Sequence, residues 1–225
     1  MKSRNDMARI PPSRSPNYNA ASRALVPSDV QNYRNGMSSP PELWVIRHGE
    51  TEWSLSGAHT SRTDLALTAE GERRAVAVGE ALRDHKFALV LSSPLRRALE
   101  TARLAGFSPE VVNDLHEWDY GDYEGRTTPE IQKQAPGWSI WTVTPPGGES
   151  ADQVAARADA VIARALSATG DVALFSHGHM LRVLAARWLK LEPQAGRYFV
   201  LSTGSISVLG YERDTHVIRT WNTGA

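Results

Sequence analysis

The sequence predicts an α/β fold, a three-layer sandwich with a mainly parallel sheet flanked by helices. Three observations predict it. Strand-like and helix-like stretches alternate from residue 42 onward, the order that βαβ crossovers produce. "LWVIRH" is an apolar run that reads as a buried strand, and "SISVLGYE" with "HVIRTWN" reads as a closing antiparallel pair. No internal repeat competes with this reading.

Residues 1–41 stand apart. They are rich in Ser, Pro, Asn and Arg, with few large apolar side chains. Such a segment buries too little surface to offset its ordering entropy, so a disordered tail is expected. Its Arg and Ser bias also resembles an organelle transit peptide, and Met37 could be the natural start. The expected folded unit is a single domain over 42–225.

Within it, "LWVIRH" is followed by the helix "LTAEGERRAVAVGEALRD", with Thr68 as N-cap and Ala75, Val78, Gly79 and Leu82 as its inward stripe. "FALVLSS" is a second strand. The next helix, "PLRRALETARLAG", is expected to begin at Pro94 and to bury Leu95, Ala98, Leu99 and Ala102. "VVNDLHEWDYGDYEGRTTPE" reads as a short strand and an irregular loop. "GGESADQVAARADAVIARAL" offers Ser150 as cap and Val154, Ala158, Val161, Ile162 and Ala165 as a face. "DVALFSHG" is a strand leading into the helix "HMLRVLAARWLK".

Composition excludes several function classes. Lys plus Arg equals Asp plus Glu, 25 each, so the chain offers no general basic face for nucleic acid. There is no cysteine, which removes disulfides, thiolate metal sites and cysteine nucleophiles. No apolar run approaches the ~18 residues of a membrane span, and the N-terminus lacks an apolar leader. The expected location is cytoplasmic.

Three strand-to-helix junctions carry the chemistry. "WVIRHGE" delivers Arg47 and His48, "LVLSSPLRR" delivers Arg97, and "VALFSHGH" delivers His177. Ligand sites in open parallel sheets form outside the carboxyl ends of the strands, so these side chains are expected in one crevice. Arginine forks match phosphate oxygens, and helix N-termini add backbone donors. Fixed guanidinium charge repels a divalent metal, and no metal or other cofactor is expected.

The blocks "RHGETEW", "SSPLRRALETA", "HEWDYGDYEG", "PPGGES" and "FSHGH", in this order and approximate spacing, resemble those of the histidine phosphatase superfamily. The resemblance spans roughly residues 43 to 222 and implies a phosphoglycerate mutase-like fold. It implies that His48 is a nucleophile forming a phosphohistidine, that Arg47 and Arg97 clamp the phosphoryl oxygens, and that His177 holds another oxygen. It places Glu117 as the acid that protonates the leaving oxygen and later activates water, with Asp119, Asp122 and Glu124 as competing carboxylates. Ser54 and Thr60 fall at loop positions that contact phosphate or substrate in such proteins. His59, Arg62, Tyr120, Gly178 and His179 complete the substrate-binding candidates.

Trp138 and Trp141 fit either the pocket or the core of a lid. Arg157 reads as a salt-bridging surface residue, and His116 and His216 as exposed or satisfied histidines. A metal site at His177 and His179 is disfavoured by the arginines.

Mutases of this superfamily carry basic residues directly after the acid, a long covering insertion, and Asn where this chain has Ser54. Here "EWDYGDYEG" is acidic and only about thirty residues separate Glu117 from "GGES". The implied activity is therefore hydrolysis of small phosphomonoesters, either with broad specificity or with sugar phosphates or bisphosphates among the substrates. A 2,3-bisphosphoglycerate-dependent phosphoglycerate mutase and a catalytically silent phospho-ligand-binding module are the alternatives. Many such proteins dimerise, which leaves a homodimer open.

Overall fold

A computed structural model describes residues 40–224, so the expectations for the tail up to residue 39 lie outside the described residues. Strands β1 (Leu43–Arg47), β2 (Leu89–Ser92), β3 (Glu110–Val111), β4 (Val172–Ser176), β5 (Ser205–Glu212) and β6 (Thr215–Gly224) form a sheet of order β3-β2-β4-β1-β5-β6. β4 pairs in parallel with β1 and β2, and β2 with β3. β5 and β6 add the antiparallel edge. The mainly parallel sheet of the sequence reading is the one observed.

Helices α1 (Glu52–Ser56), α2 (Ala69–Leu82), α3 (Arg96–Leu104), α4 (Thr128–Gln134), α5 (Ala151–Leu166) and α6 (Gly178–Trp188) complete the described regular elements, with three short 3₁₀ turns. The period-2 alternation of the strands sorts the helices into layers. Leu43, Val45, Val172 and Leu174 pack with Val154, Ala158 and Val161 of α5 and Leu181 and Leu184 of α6. Ile46, Ala173 and Phe175 face the other way, onto Val78 and Leu82 of α2 and Ala102 of α3. No described helix is long and apolar enough to cross a membrane.

The caps at Thr68 and Ser150 form as expected, each side chain accepting a bond from the backbone three residues on. The start of α3 differs. Pro94 is not its first residue; the helix begins at Arg96, with Leu95 extended as N-cap. The cause is that β2 pairing runs one residue further. Ser93 N–H still bonds Phe175 O at 3.0 Å, and Ser93 Oγ then takes the Leu95 N–H at 3.2 Å. The inward stripe of α3 is consequently Arg97, Ala98, Thr101 and Ala102, and an arginine points into the protein.

This topology places the chemistry. β4 inserts between β1 and β2, and its pairing with both neighbours runs to their carboxyl ends. His48 N–H bonds Ser176 O at 2.9 Å beside the Ser93–Phe175 bond. His48, Ser93 and His177 thus leave the sheet side by side at a topological switch point.

Candidate active site

The turn after β1 is so tight that only glycine fits. A Cβ at Gly49 would lie 2.3 Å from Gly71 O, and one at Gly71 would lie 2.2 Å from Glu50 O. The Gly49 N–H is held by Thr101 Oγ1 at 2.9 Å. His48 is therefore locked on the turn, with Nδ1 2.7 Å from Gly49 O. A proton on Nδ1 donates to that carbonyl and leaves the Nε2 lone pair free. The His177 ring lies 5.1 Å from it, centroid to centroid, with Nε2 2.7 Å from Ser93 Oγ.

Arg47 donates from Nη1 to Leu201 O at 2.5 Å. Arg97 is fully buried and donates to Thr63 O and Thr60 O, both at 3.1 Å. The Nε atoms of Arg47 and Arg97 and the Nδ1 of His177 are buried with no hydrogen-bond partner among the described residues. Burial first, then the charges of Arg97 and Arg47, push His48 well below the ordinary histidine value. Burial and Arg97 do the same to His177. Both imidazoles are neutral at neutral pH, beside two fixed cations.

Glu117 comes from the loop that follows the 3₁₀ turn ending at Leu115. Its Oε1 accepts from the N–H groups of Trp118 at 2.8 Å and Met180 at 2.9 Å, and Oε2 accepts from His179 N–H at 3.1 Å. The carboxylate thereby caps α6, whose own N-cap His177 makes no side-chain cap bond.

A cavity of about 160 Å³ opens over this cluster. Of the sequence candidates, Arg47, His48, Ser54, His59, Thr60, Glu117, Tyr120, Gly178 and His179 line it. Arg97 and His177 lie just behind that surface, 1% and 0% exposed. Arg62 is a correction: its side chain is 72% exposed, paired with Asp119, and absent from the cavity wall. Arg97 takes the carbonyls of Thr60, Ser61 and Thr63 from the inner side of that loop, which leaves the Arg62 side chain outside.

Trp138 and Trp141 are core. Trp138 packs on Tyr123 and His59, and Trp141 on Trp118 and His179 beneath the Arg182 guanidinium. Arg157 also departs from its surface reading; its side chain is 13% exposed and bonded on every side. The reading of His116 and His216 holds, with Nδ1 bonds to Asn113 O and Trp188 O.

Sequence reasoning missed Thr51, Trp53, Arg182 and Leu201 on the wall. Trp53 was in view inside "RHGETEW". Arg182 follows Gly178 by four positions, one helical turn, which puts both on one face of α6. Leu201 sits on a distant loop with no motif around it.

The buried histidines make the fold acid-sensitive. Besides His48 and His177, burial depresses His179, and it lowers His59 to about 4. The unfolded chain binds these protons near the ordinary 6.5, so stability is whole above that value and falls as pH drops toward 4. His59 alone would lose about 2 kcal/mol at pH 5. His116, raised by the Glu149 carboxylate 3.7 Å away, opposes this weakly from the half-exposed loop. Urea unfolding is expected to show a lower midpoint at pH 5 than at pH 7.5; an equal or higher midpoint at pH 5 would contradict the assignment.

Comparison with known proteins adds four findings. A family model described as histidine phosphatase superfamily (branch 1) matches residues 43–224. An acid phosphatase of Mycobacterium tuberculosis is 44% identical over 175 residues, covering 76% of this chain and 86% of the relative. A sedoheptulose 1,7-bisphosphatase of Saccharomyces cerevisiae is 35% identical over 192 residues, covering 70% of each chain. Among solved structures, an open reading frame product of Mycobacterium tuberculosis superposes with a TM-score of 0.79 at 40% identity, covering 82% of this chain and 98% of that one. These relatives support phosphatase activity.

Proposed function

Because the chain belongs to the histidine phosphatase superfamily, we propose that it is a metal-independent phosphatase that hydrolyses small phosphomonoesters through a phosphohistidine at His48. The observation that carries this reading is the neutral, turn-locked His48, with Nδ1 committed to Gly49 O and unpartnered Arg47, Arg97 and His177 nitrogens around it.

In the first step His48 Nε2 attacks phosphorus, the N–P bond forms and the ester P–O bond breaks. Glu117 passes a proton to the departing oxygen. Arg47, Arg97 and His177 stabilise the charge that develops on the other oxygens, the dominant contribution for so slow an uncatalysed reaction. In the second step Glu117 takes a proton from water, the water oxygen attacks phosphorus, and the N–P bond breaks to free phosphate and His48. Burial, then the charges of Arg97 and Arg47, hold His48 neutral for attack, and the arginine charge disfavours a metal in the same place.

Beside His48 the cavity is lined by His59, Thr60, Tyr120, Arg182 and Trp53, a set suited to a hydroxylated, anionic metabolite. A sugar phosphate or bisphosphate fits that chemistry, and the yeast relative's name points the same way. The mutase alternative needs basic groups next to the acid. Here the residues after Glu117 include Asp119, paired with Arg62, and Glu124, which caps the backbone of Ser61 and Thr63.

The test is a rapid alkaline quench with a ³²P-labelled phosphomonoester, followed by a screen of glycerate, sugar and sugar bisphosphate substrates. Acid-labile label on His48 is expected, with phosphate release exceeding any 3- to 2-phosphoglycerate conversion in the presence of 2,3-bisphosphoglycerate. Turnover without a phosphoenzyme would refute the mechanism, and faster isomerisation than release would favour the mutase.

A further inference from the structure

The Glu117 carboxyl is held by amides from two separate segments, Trp118 on its own loop and His179 and Met180 at the start of α6. A single, largely buried cation joins those segments. Arg157, on α5, donates from Nη1 to Asp114 O at 2.7 Å and to His116 O at 3.0 Å, the carbonyl just before Glu117. The same nitrogen lies 3.4 Å from the sulfur of Met180, whose N–H holds Glu117.

The rest of the guanidinium forms a fork with Glu149: Nε to Oε1 at 2.9 Å and Nη2 to Oε2 at 2.8 Å. Glu149 then grips the far side of the loop. Its Oε2 accepts from Asp119 N–H at 3.0 Å, its carbonyl from the Trp118 indole at 2.9 Å, and its N–H bonds Asp119 O at 3.0 Å. Burial works against this carboxylate, but the His116 imidazole 3.7 Å away and the hydrogen-bonded Arg157 guanidinium outweigh it and bring Glu149 down to about 2. Glu149 is therefore a carboxylate at any working pH.

The loop needs this support. Its 3₁₀ turn ends at Leu115, and beyond it no helix or strand holds the backbone of residues 116–119. Buried backbone groups there must find partners elsewhere, and Arg157 and Glu149 supply them.

We propose that Arg157, through its fork with Glu149, is a positioning residue that sets the Glu117 carboxyl for proton transfer to the leaving oxygen. The proposal rests on the reading of Glu117 as the acid. A lysine offers a point charge in place of the planar fork and cannot span the same partners. Displacing a reacting group by about 1 Å can cost about 10²-fold in rate.

The test uses the full chain and a series of phosphomonoesters, from p-nitrophenyl phosphate, whose leaving group needs little protonation, to simple alkyl phosphates. The readout is the ratio of kcat/KM for aryl over alkyl substrate, which does not depend on the fraction of a preparation that is folded. In Arg157→Lys and Arg157→Ala the ratio is expected to rise by about tenfold or more, in the direction that Glu117→Gln moves it. Should neither Arg157 variant accumulate, Glu149→Gln decides by the same ratio. An unchanged ratio in these variants, with a raised one in Glu117→Gln, overturns the positioning role and leaves the acid assignment standing. An unchanged ratio in Glu117→Gln itself overturns the acid assignment and the proposal with it.

Discussion

His48→Ala is expected to lower phosphomonoester turnover by at least ~10⁴-fold, the scale seen when a covalent nucleophile is removed. The neighbouring His177 is set differently, with Nε2 engaged with Ser93 Oγ and its ring centroid 5.1 Å from that of His48. Structural damage is expected to be small. The His48 side chain makes its single hydrogen bond to the adjacent Gly49 O, whereas the bond from His48 N–H to Ser176 O belongs to the backbone and survives. Circular dichroism and steady-state assay with p-nitrophenyl phosphate decide the matter. A well-folded His48→Ala protein keeping more than about 1% of parental turnover would remove His48 from the mechanism.

Glu117→Gln is expected to lower kcat/KM for alkyl phosphates by about 10²–10⁴-fold and to spare p-nitrophenyl phosphate by comparison, since a good leaving group departs without a general acid. The hydrogen bonds sharpen the expectation. A glutamine oxygen can take the place of Oε1 beneath the Trp118 and Met180 amides, but its NH₂ then faces the His179 N–H, donor against donor. The variant should accordingly lose about 1–3 kcal/mol of stability as well, readable by urea titration. Equal losses across all leaving groups would mean that Glu117 acts through the shape of the cavity and not through its proton.

The residues that carry these predictions differ in how visible they were. His48, Arg47 and His177 stand at the ends of apolar runs, where a polar residue interrupts a strand and marks itself. Arg97 was legible from its block although the helix start was misplaced. Its burial depends on Ser93 extending the β2 ladder by one residue, and no propensity at Pro94 reports that. Arg62 and Arg157 show the opposite limit. Both are arginines in polar surroundings, and nothing local distinguishes the one excluded from the cavity from the one that anchors the Glu117 loop.

The layers and the junctions are legible along the chain. Strand alternation, helical stripes and caps at Thr68 and Ser150 are short-range consequences of side-chain periodicity and backbone hydrogen bonding, and they place the chemical residues at the carboxyl edge of a mainly parallel sheet. Long-range packing settles which arginines serve that edge and how Glu117 is held. Those outcomes depend on which carbonyls, amides and charges are left without partners once the chain has closed. Such a balance is struck between segments far apart in sequence, and no single segment contains it.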